Sequence, residues 1–255
     1  MYDVIKTIAK SVGPLFIEGY THTKTITYKS AVDLVTEYDV KVELLLKEKL
    51  LAAFPEHTLV GEETNEEITY PDKAIYIDPI DGTTNFVHGI PFCAISIGIW
   101  EGGEPIAGVV YNPVLNELFY AEKGKGTYCN DEALHVSEAE TLEKSLIATG
   151  FPYTKFEQGE DFHWVMKSIS AILPYTRDIR RLGSAALDLC YVARGTFEGY
   201  YEVNLKPWDV AAGILIVKEA GGAVSRQDGR NYTLDERIVV ASNGHIHSAI
   251  VEKVR

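Results

Sequence analysis

The chain has 255 residues, 46% of them hydrophobic and 24% charged, enough to bury a sizeable core within one globular body. Its 37 acidic side chains against 24 basic ones give a net charge of -13, which sets the surface against nucleic acid and anionic membranes as partners. No stretch reaches the roughly 18 unbroken apolar residues of a membrane span, the N-terminus lacks a signal-peptide pattern, and Cys93, Cys129 and Cys190 lie too far apart for a disulfide framework or a zinc site; a soluble cytoplasmic protein with buried thiols is expected.

The first helix is predicted from Tyr2 to about Glu18, with Val4, Ile8, Val12 and Phe16 on one face and Pro14 as a kink. A second follows over Glu37 to Ala53, with Thr36 as N-cap, Asp39 three residues on, and Val40, Leu44, Leu51 and Phe54 as its buried stripe. From Thr58 to Tyr128 short runs rich in Ile, Val, Tyr and Phe alternate with Gly, Pro and Asn, the pattern of a largely antiparallel sheet. Beyond Leu134 the elements alternate: a strand in SLIATGF, helices near Asp161 to Leu173 and Ser184 to Arg194, a strand in FEGYY, a helix from Trp208 to Glu219, strands AVSR and IVVAS, and a last helix through Ile246 to Val254. The fold class is therefore α+β passing into α/β: one body over residues 1-255 with a soft division into halves 1-133 and 134-255.

The densest chemical signal is DPIDGTTNF, residues 78 to 86, after the apolar run Ala74 to Ile77. A strand ending in Asp78 and Asp81, with Pro79 stiffening the turn, aims both carboxylates at one point, and Gly82, Thr83 and Thr84 are small enough for backbone N–H groups to approach an anion. Carboxylates beside an anion nest require a cation between them, and all-oxygen ligands select Mg²⁺ first, with Mn²⁺ as a substitute. Three further acidic sites meet the same demand: Asp33 in DLVTEYD, Glu62 with Glu63 after the strand TLVG, and Asp209 in WDVAAG at the start of an apolar helix. An acidic protein repels a phosphorylated metabolite unless bound cations reverse the local field. His88 reads as a loop histidine and His245 and His247 as surface histidines, while Arg180 and Arg181 read as solvated or ion-paired cations with anion binding as the alternative.

Together DLVTEYD (33 to 39), GEE (61 to 63), DPIDGTTNF (78 to 86) and WDVAAG (208 to 213) resemble, in order, the signature set of the inositol monophosphatase family. That resemblance implies a lithium-sensitive phosphatase of the sugar phosphatase type, an αβαβα sandwich working as a homodimer on a small phosphorylated metabolite. It implies two or three Mg²⁺ ions: Glu62, Asp78 and the Ile80 carbonyl around one, Asp78, Asp81 and Asp209 around a second, and Glu62 helping with a third. It pairs Thr83 with Asp33 as the dyad that orients or deprotonates water. Glu202 corresponds to a contact with a substrate hydroxyl, and Gly183 and Ser184 to a loop lining the sugar pocket. Glu62, Asp33 and Thr83 thus form the expected catalytic set, with Gly82, Thr83, Thr84, Gly183, Ser184 and Glu202 around the substrate. The segment from Glu62 to Asp78 is short and Asn204 to Pro207 departs from the animal pattern, which leaves the substrate open among inositol monophosphate, fructose 1,6-bisphosphate, NADP⁺ and 3'-phosphonucleotides, with a non-catalytic regulatory protein as the alternative from another class.

Overall fold

The structure is a computed structural model that describes residues 1–22, 24–28, 34–65 and 67–255. Helix α1 (Tyr2–Thr21) carries Pro14 inside it and buries Ile5, Ile8, Ala9, Val12, Gly13, Phe16 and Gly19, a stripe at helical spacing that leaves Val4, expected on the buried face, exposed. Strands β1 (Ile26–Tyr28) and β2 (Leu34–Thr36) form a short antiparallel pair that leads into α2 (Glu37–Ala53). Thr36 caps α2: its side chain accepts the Tyr38 N–H, and its own N–H donates to Asp39.

Of the stripe expected on α2, only Phe54 packs against the core, and it is half-buried; the other three positions are overturned. Val40, Leu44 and Leu51 are exposed, while Tyr38, Asp39, Val42, Glu43, Leu46 and Leu50 are buried. The helix is apolar in more than one register, and the capping contact of Asp39 with Thr36 turns 39, 42, 43, 46 and 50 inward, carrying two carboxylates into the interior.

Seven strands form the larger sheet: β3 (Thr58–Gly61), β4 (Lys73–Asp81), β5 (Ala94–Glu101), β6 (Glu104–Asn112), β7 (Glu117–Glu122), β8 (Thr127–Cys129) and β9 (Glu132–Ala133), adjacent in chain order. Only β3 and β4 run parallel among the described strands of this sheet; the other pairs are antiparallel. Between β4 and β5 lies α3 (Thr83–His88). Side chains alternate across the sheet: Ile75, Ile77, Ile95, Ile97 and Ile99 pack toward α1 and α2, and Ala74, Tyr76, Ala94 and Trp100 toward the opposite face.

The second sheet collects β10 (Leu146–Thr149), β11 (Asp178–Arg180), β12 (Gly199–Val203), β13 (Ala223–Ser225) and β14 (Ile238–Ser242) in the order β11-β10-β12-β14-β13. Between the sheets lie α5 (Ala185–Ala193) and α6 (Pro207–Glu219), whose apolar surfaces reach both; α4 (Glu160–Ile172) and α7 (His247–Val254) cover the far side. The layers are α1/α2, first sheet, α5/α6, second sheet and α4/α7, an αβαβα sandwich. All three cysteines are buried thiols. His247 is not on the surface: it is half-buried between Ser242 and Ser225, each 2.8 Å from a ring nitrogen, because α7 turns it back onto the second sheet.

Candidate active site

The site is assembled where β4 stops being regular. Asp78 and Asp81 are three residues apart, a spacing that would put them on opposite faces of an ordinary strand. Pairing with β5 runs to Asp78 opposite Ser96 and then slips, so that Asp81 lies opposite Ala94. The extra residue brings both carboxylates to one side, and Pro79 fits here because an irregular position needs no N–H from it. The Ile80 N–H donates to Asp78 at 3.0 Å, which fixes that carboxylate over the turn.

Asp209 arrives from the helical layer. Helix α6 lies close against β5 and β6 because Gly98 and Gly108 present no side chain: a Cβ at Gly98 would stand 2.6 Å from the Ala211 Cβ, and one at Gly108 2.9 Å from the Ala212 carbonyl oxygen. The Ser96 hydroxyl donates to the Trp208 carbonyl and the Trp100 indole N–H to that of Ala211, at 3.3 and 3.0 Å. Asp209 then accepts the Lys206 N–H at 2.6 Å across the first turn. Asp78, Asp81 and Asp209 consequently offer carboxylate oxygens that all lie within 4.8 Å of one another.

Asp81 is also tied to α5, accepting from the Ser184 hydroxyl and, at 2.8 Å, from the Ala186 N–H. Ser184 is the N-cap of that helix, so the expected Gly183–Ser184 loop meets the carboxylates directly. Asn85 of α3 fastens the loop from the other side through bonds of 2.7 Å to the carbonyls of Leu182 and Phe92. Glu62 follows β3, its N–H donating to the Ile77 carbonyl at 3.2 Å, and after burial its charge is the largest influence raising the affinity of Asp78 for a proton.

Asp33 lies outside the described residues. Among those described, the carboxylate on Thr83 is Asp39: the Thr83 hydroxyl stands 3.1 Å from Asp39 Oδ1 and 3.0 Å from the Ile80 carbonyl oxygen. The sequence presents Asp39 as a helix cap; it is also an acid of DLVTEYD, six residues after Asp33 and turned inward by that same cap, which is the local signal for a further role.

The electrostatics follow from crowding these carboxylates away from water. Burial first, then the charges of Glu62, Asp81 and Asp209, hold Asp78 far above the usual carboxylate range. Burial raises Asp81 to about 6 even though Ser184 and the α5 amides pull it down, and burial with the neighbouring Asp81 raises Asp209 to about 8. Like charges crowded out of water are relieved by a cation, and an all-oxygen donor set suits a hard dication. The residues present fit Mg²⁺.

The carboxylates open into a cavity of about 80 Å³ lined by Gly82, Thr83, Thr84, Gly150, Phe151, Tyr153, Lys155, Arg181, Gly183, Ser184 and Glu202. Glu202 accepts from the Tyr200 hydroxyl at 2.5 Å, and burial raises its pKa to about 7. Gly150 is required beside it, since a Cβ there would collide with the Glu202 carboxylate. Arg180 is ion-paired with Asp178 at 2.5 Å, whereas Arg181 and Lys155 face the cavity and, among the described residues, neither has an acidic ion-pair partner. The sequence did not mark Lys155, and it carried Asn85 inside DPIDGTTNF without a role of its own; both roles depend on chain segments remote from theirs.

The model of the inositol monophosphatase family matches residues 1–255. The chain belongs to that family. Inositol monophosphatase 2 of Solanum lycopersicum is 41% identical over 256 residues, covering 98% of this chain and 96% of that one. The Nus factor SuhB of Pasteurella multocida is 39% identical over 258 residues, covering 100% and 96%. Among solved structures, the extragenic suppressor protein suhB of Bartonella henselae superimposes with a TM-score of 0.92 at 37% identity, covering 99% of this chain and 97% of its own. Phosphate-monoester hydrolysis is accordingly this family's class of chemistry, and the layered sandwich is its fold.

Proposed function

We propose that this chain is a Mg²⁺-dependent phosphomonoesterase that hydrolyses inositol monophosphate or a similar small polyol phosphate. The observation that carries the reading is the trio Asp78, Asp81 and Asp209, with oxygens within 4.8 Å of one another, of which Asp81 and Asp209 line a cavity shared with Gly82, Thr83, Thr84 and Glu202. Glu62, Asp78, the Ile80 carbonyl, Asp81 and Asp209 would hold the metal. Bound Mg²⁺ supplies a Lewis acid and offsets the charge of the ester in a protein of net charge -13.

The remaining work falls to the chain's own groups. The Thr83 hydroxyl, within reach of Asp39, orients a water in line with the phosphorus. Asp39 is nearly free of solvent, and burial raises its affinity for a proton despite its bonds from Thr36 and Thr83, so it is suited to take the proton the water loses. Gly82, Thr83 and Thr84 line the cavity, where their backbone N–H groups would meet the phosphoryl oxygens. As the new P–O bond forms, the ester P–O bond breaks; the leaving alkoxide takes a proton from solvent water, and the hydroxide so formed is neutralised by the proton that Asp39 gives back. Glu202, braced by Tyr200, accepts from a substrate hydroxyl, which favours a polyol.

A second reading rests on Lys155 and Arg181, two cations facing the cavity without acidic ion-pair partners among the described residues. They favour an ester with a second anionic group, such as fructose 1,6-bisphosphate, NADP⁺ or a 3'-phosphonucleotide. The Nus factor name of the Pasteurella relative supports a regulatory role on the same fold. Lithium sensitivity and a cytoplasmic homodimer belong to the main proposal; among the described residues no helix is long and apolar enough to cross a membrane. Phosphate release from inositol 1-phosphate, fructose 1,6-bisphosphate, NADP⁺ and 3'-phosphoadenosine 5'-phosphate, with and without Mg²⁺, tests the set. Turnover confined to Mg²⁺ and lost in Asp81→Asn is expected; full turnover by Asp81→Asn refutes its role, and Mg²⁺ uptake without release from any ester favours the regulatory reading.

A further inference from the structure

Behind the carboxylate cluster lies a second charged group that the proposed chemistry does not use. Glu43, on α2, has no exposed surface. A carboxylate removed from water costs several kcal/mol unless its lone pairs are satisfied. Here the partners are concentrated on one short segment: Glu63 N–H donates to Oε2 at 2.7 Å, Thr64 N–H to Oε1 at 3.0 Å, and the Thr64 hydroxyl to Oε1 at 2.5 Å. Lys47, one turn along α2, pairs with Oε1 at 3.0 Å and reaches the Asn65 side-chain oxygen at 2.7 Å; that same oxygen accepts the Gly61 N–H at 2.8 Å. Gly61 leaves the room: a Cβ there would collide with the Glu43 carboxylate.

The chain from Gly61 to Asn65 is thus wrapped around one buried carboxylate, with Glu62 in the middle of the wrap. Its backbone is fastened on the other side to β4 by the bond from the Glu62 N–H to the Ile77 carbonyl, one residue before Asp78. A glutamate on a free loop would lose rotamer and backbone freedom on gripping a cation, which weakens the grip. Here the loop backbone is already held by bonds to Glu43, Asn65 and Ile77.

We propose that Glu43, with Lys47, is a positioning residue that presets the 61–65 loop so that Glu62 meets the cation held by Asp78. The proposal rests on the reading of Glu62 and Asp78 as metal ligands. Groups that orient ligands from behind commonly change metal affinity about 10- to 100-fold when altered. A merely structural role for Glu43 would lower thermal stability and leave metal affinity where it was.

The test is calorimetric titration of Mg²⁺ and Mn²⁺ into the full chain, a measurement independent of turnover, alongside the Mg²⁺ dependence of phosphate release. Glu43→Gln keeps the shape but turns one acceptor into a donor against a loop N–H. The expected result is about a ten-fold weaker Mg²⁺ dissociation constant and a matching rise in half-activating Mg²⁺, with kcat at saturating Mg²⁺ within about two-fold of the parent. Thr64→Val and Lys47→Met, which leave the Glu43 carboxylate in place, should weaken Mg²⁺ about three-fold each, and they decide the matter if Glu43→Gln does not fold. Parental Mg²⁺ affinity in Glu43→Gln, or in both milder variants should the first not fold, overturns the proposal whatever happens to the melting temperature. A parent chain that takes up no divalent cation overturns it together with the metal reading. A parent that binds Mg²⁺ and releases no phosphate overturns the phosphatase assignment alone, and the shifted affinities then still support the loop's role.

Discussion

Substituting Gly98 by alanine probes whether the seat of α6 governs the site. The added Cβ would lie 2.6 Å from the Ala211 Cβ and 2.7 Å from its carbonyl carbon, and reaching the 3.4 Å at which contacts become ordinary requires a retreat of about 0.8 Å. The obstacle is helix backbone, so no side chain can turn away to absorb it. Overpacking of this kind costs about 1 to 3 kcal/mol. For a chain of this size that lowers the melting temperature by about 2 to 4 °C per kcal/mol. The retreat also carries Asp209 away from Asp78 and Asp81, and a misplacement near 1 Å can cost about 10²-fold in rate. Differential scanning calorimetry and phosphate release at several Mg²⁺ concentrations read the two effects separately. Gly159→Ala is the control, since a Cβ there meets nothing within 4 Å and its backbone is extended; as the N-cap of α4 it should cost no more than about 1 kcal/mol and leave the Mg²⁺ dependence unchanged. A Gly98→Ala chain that melts lower but keeps full activity and unchanged Mg²⁺ dependence would refute the idea that α6 places Asp209.

Other consequences are open to measurement. In the metal-free chain, Asp81 at about 6 and Asp209 at about 8 hold protons that the unfolded chain has released above about pH 4, so stability should fall as the pH rises through this window and the fall should vanish in Mg²⁺; urea unfolding in EDTA near pH 5 and pH 8 checks the sign, and a pH-independent midpoint counts against it. Thr83→Val should lower kcat by about 10²- to 10⁴-fold with the Mg²⁺ requirement unchanged, and a near-normal kcat would remove the dyad from the mechanism. Leu46→Ala should destabilise by about 2 to 5 kcal/mol and Leu44→Ala by no more than about 0.5, because only Leu46 is buried; equal costs in denaturant titration would contradict the observed face of α2.

Much of this molecule was legible from residues alone, for reasons that differ by element. The bounds of α2 followed from Thr36 and Pro55, because a cap and a helix breaker act over a few residues. The face of α2 did not follow: with leucines at 44, 45, 46, 50 and 51, period alone does not choose, and the inward turn is imposed by Asp39 and by the loop that needs Glu43. The convergence of Asp78, Asp81 and Asp209 was expected from motif order, yet its cause, a slip in pairing against β5 and two glycines beneath α6, is a property of neighbouring strands. Asp39 was seen only as a cap because its contact with Thr83 spans 44 residues. Lys155 and Arg181 belong to segments that reach the cavity only once the second sheet is in place, and their partnership has no local signature.

The bond between Asp81 and the start of α5 joins residues 105 apart, one on each sheet's side of the sandwich. Asp81 therefore acts as a clasp whose two leaves are made at different times during synthesis, and ion uptake becomes a gauge of their closure. Under the proposed ligand assignment, fragments ending and beginning in the stretch between β9 and β10 part the carboxylates, the first keeping Asp78 and Asp81 and the second Asp209, so full Mg²⁺ affinity should return only on recombination.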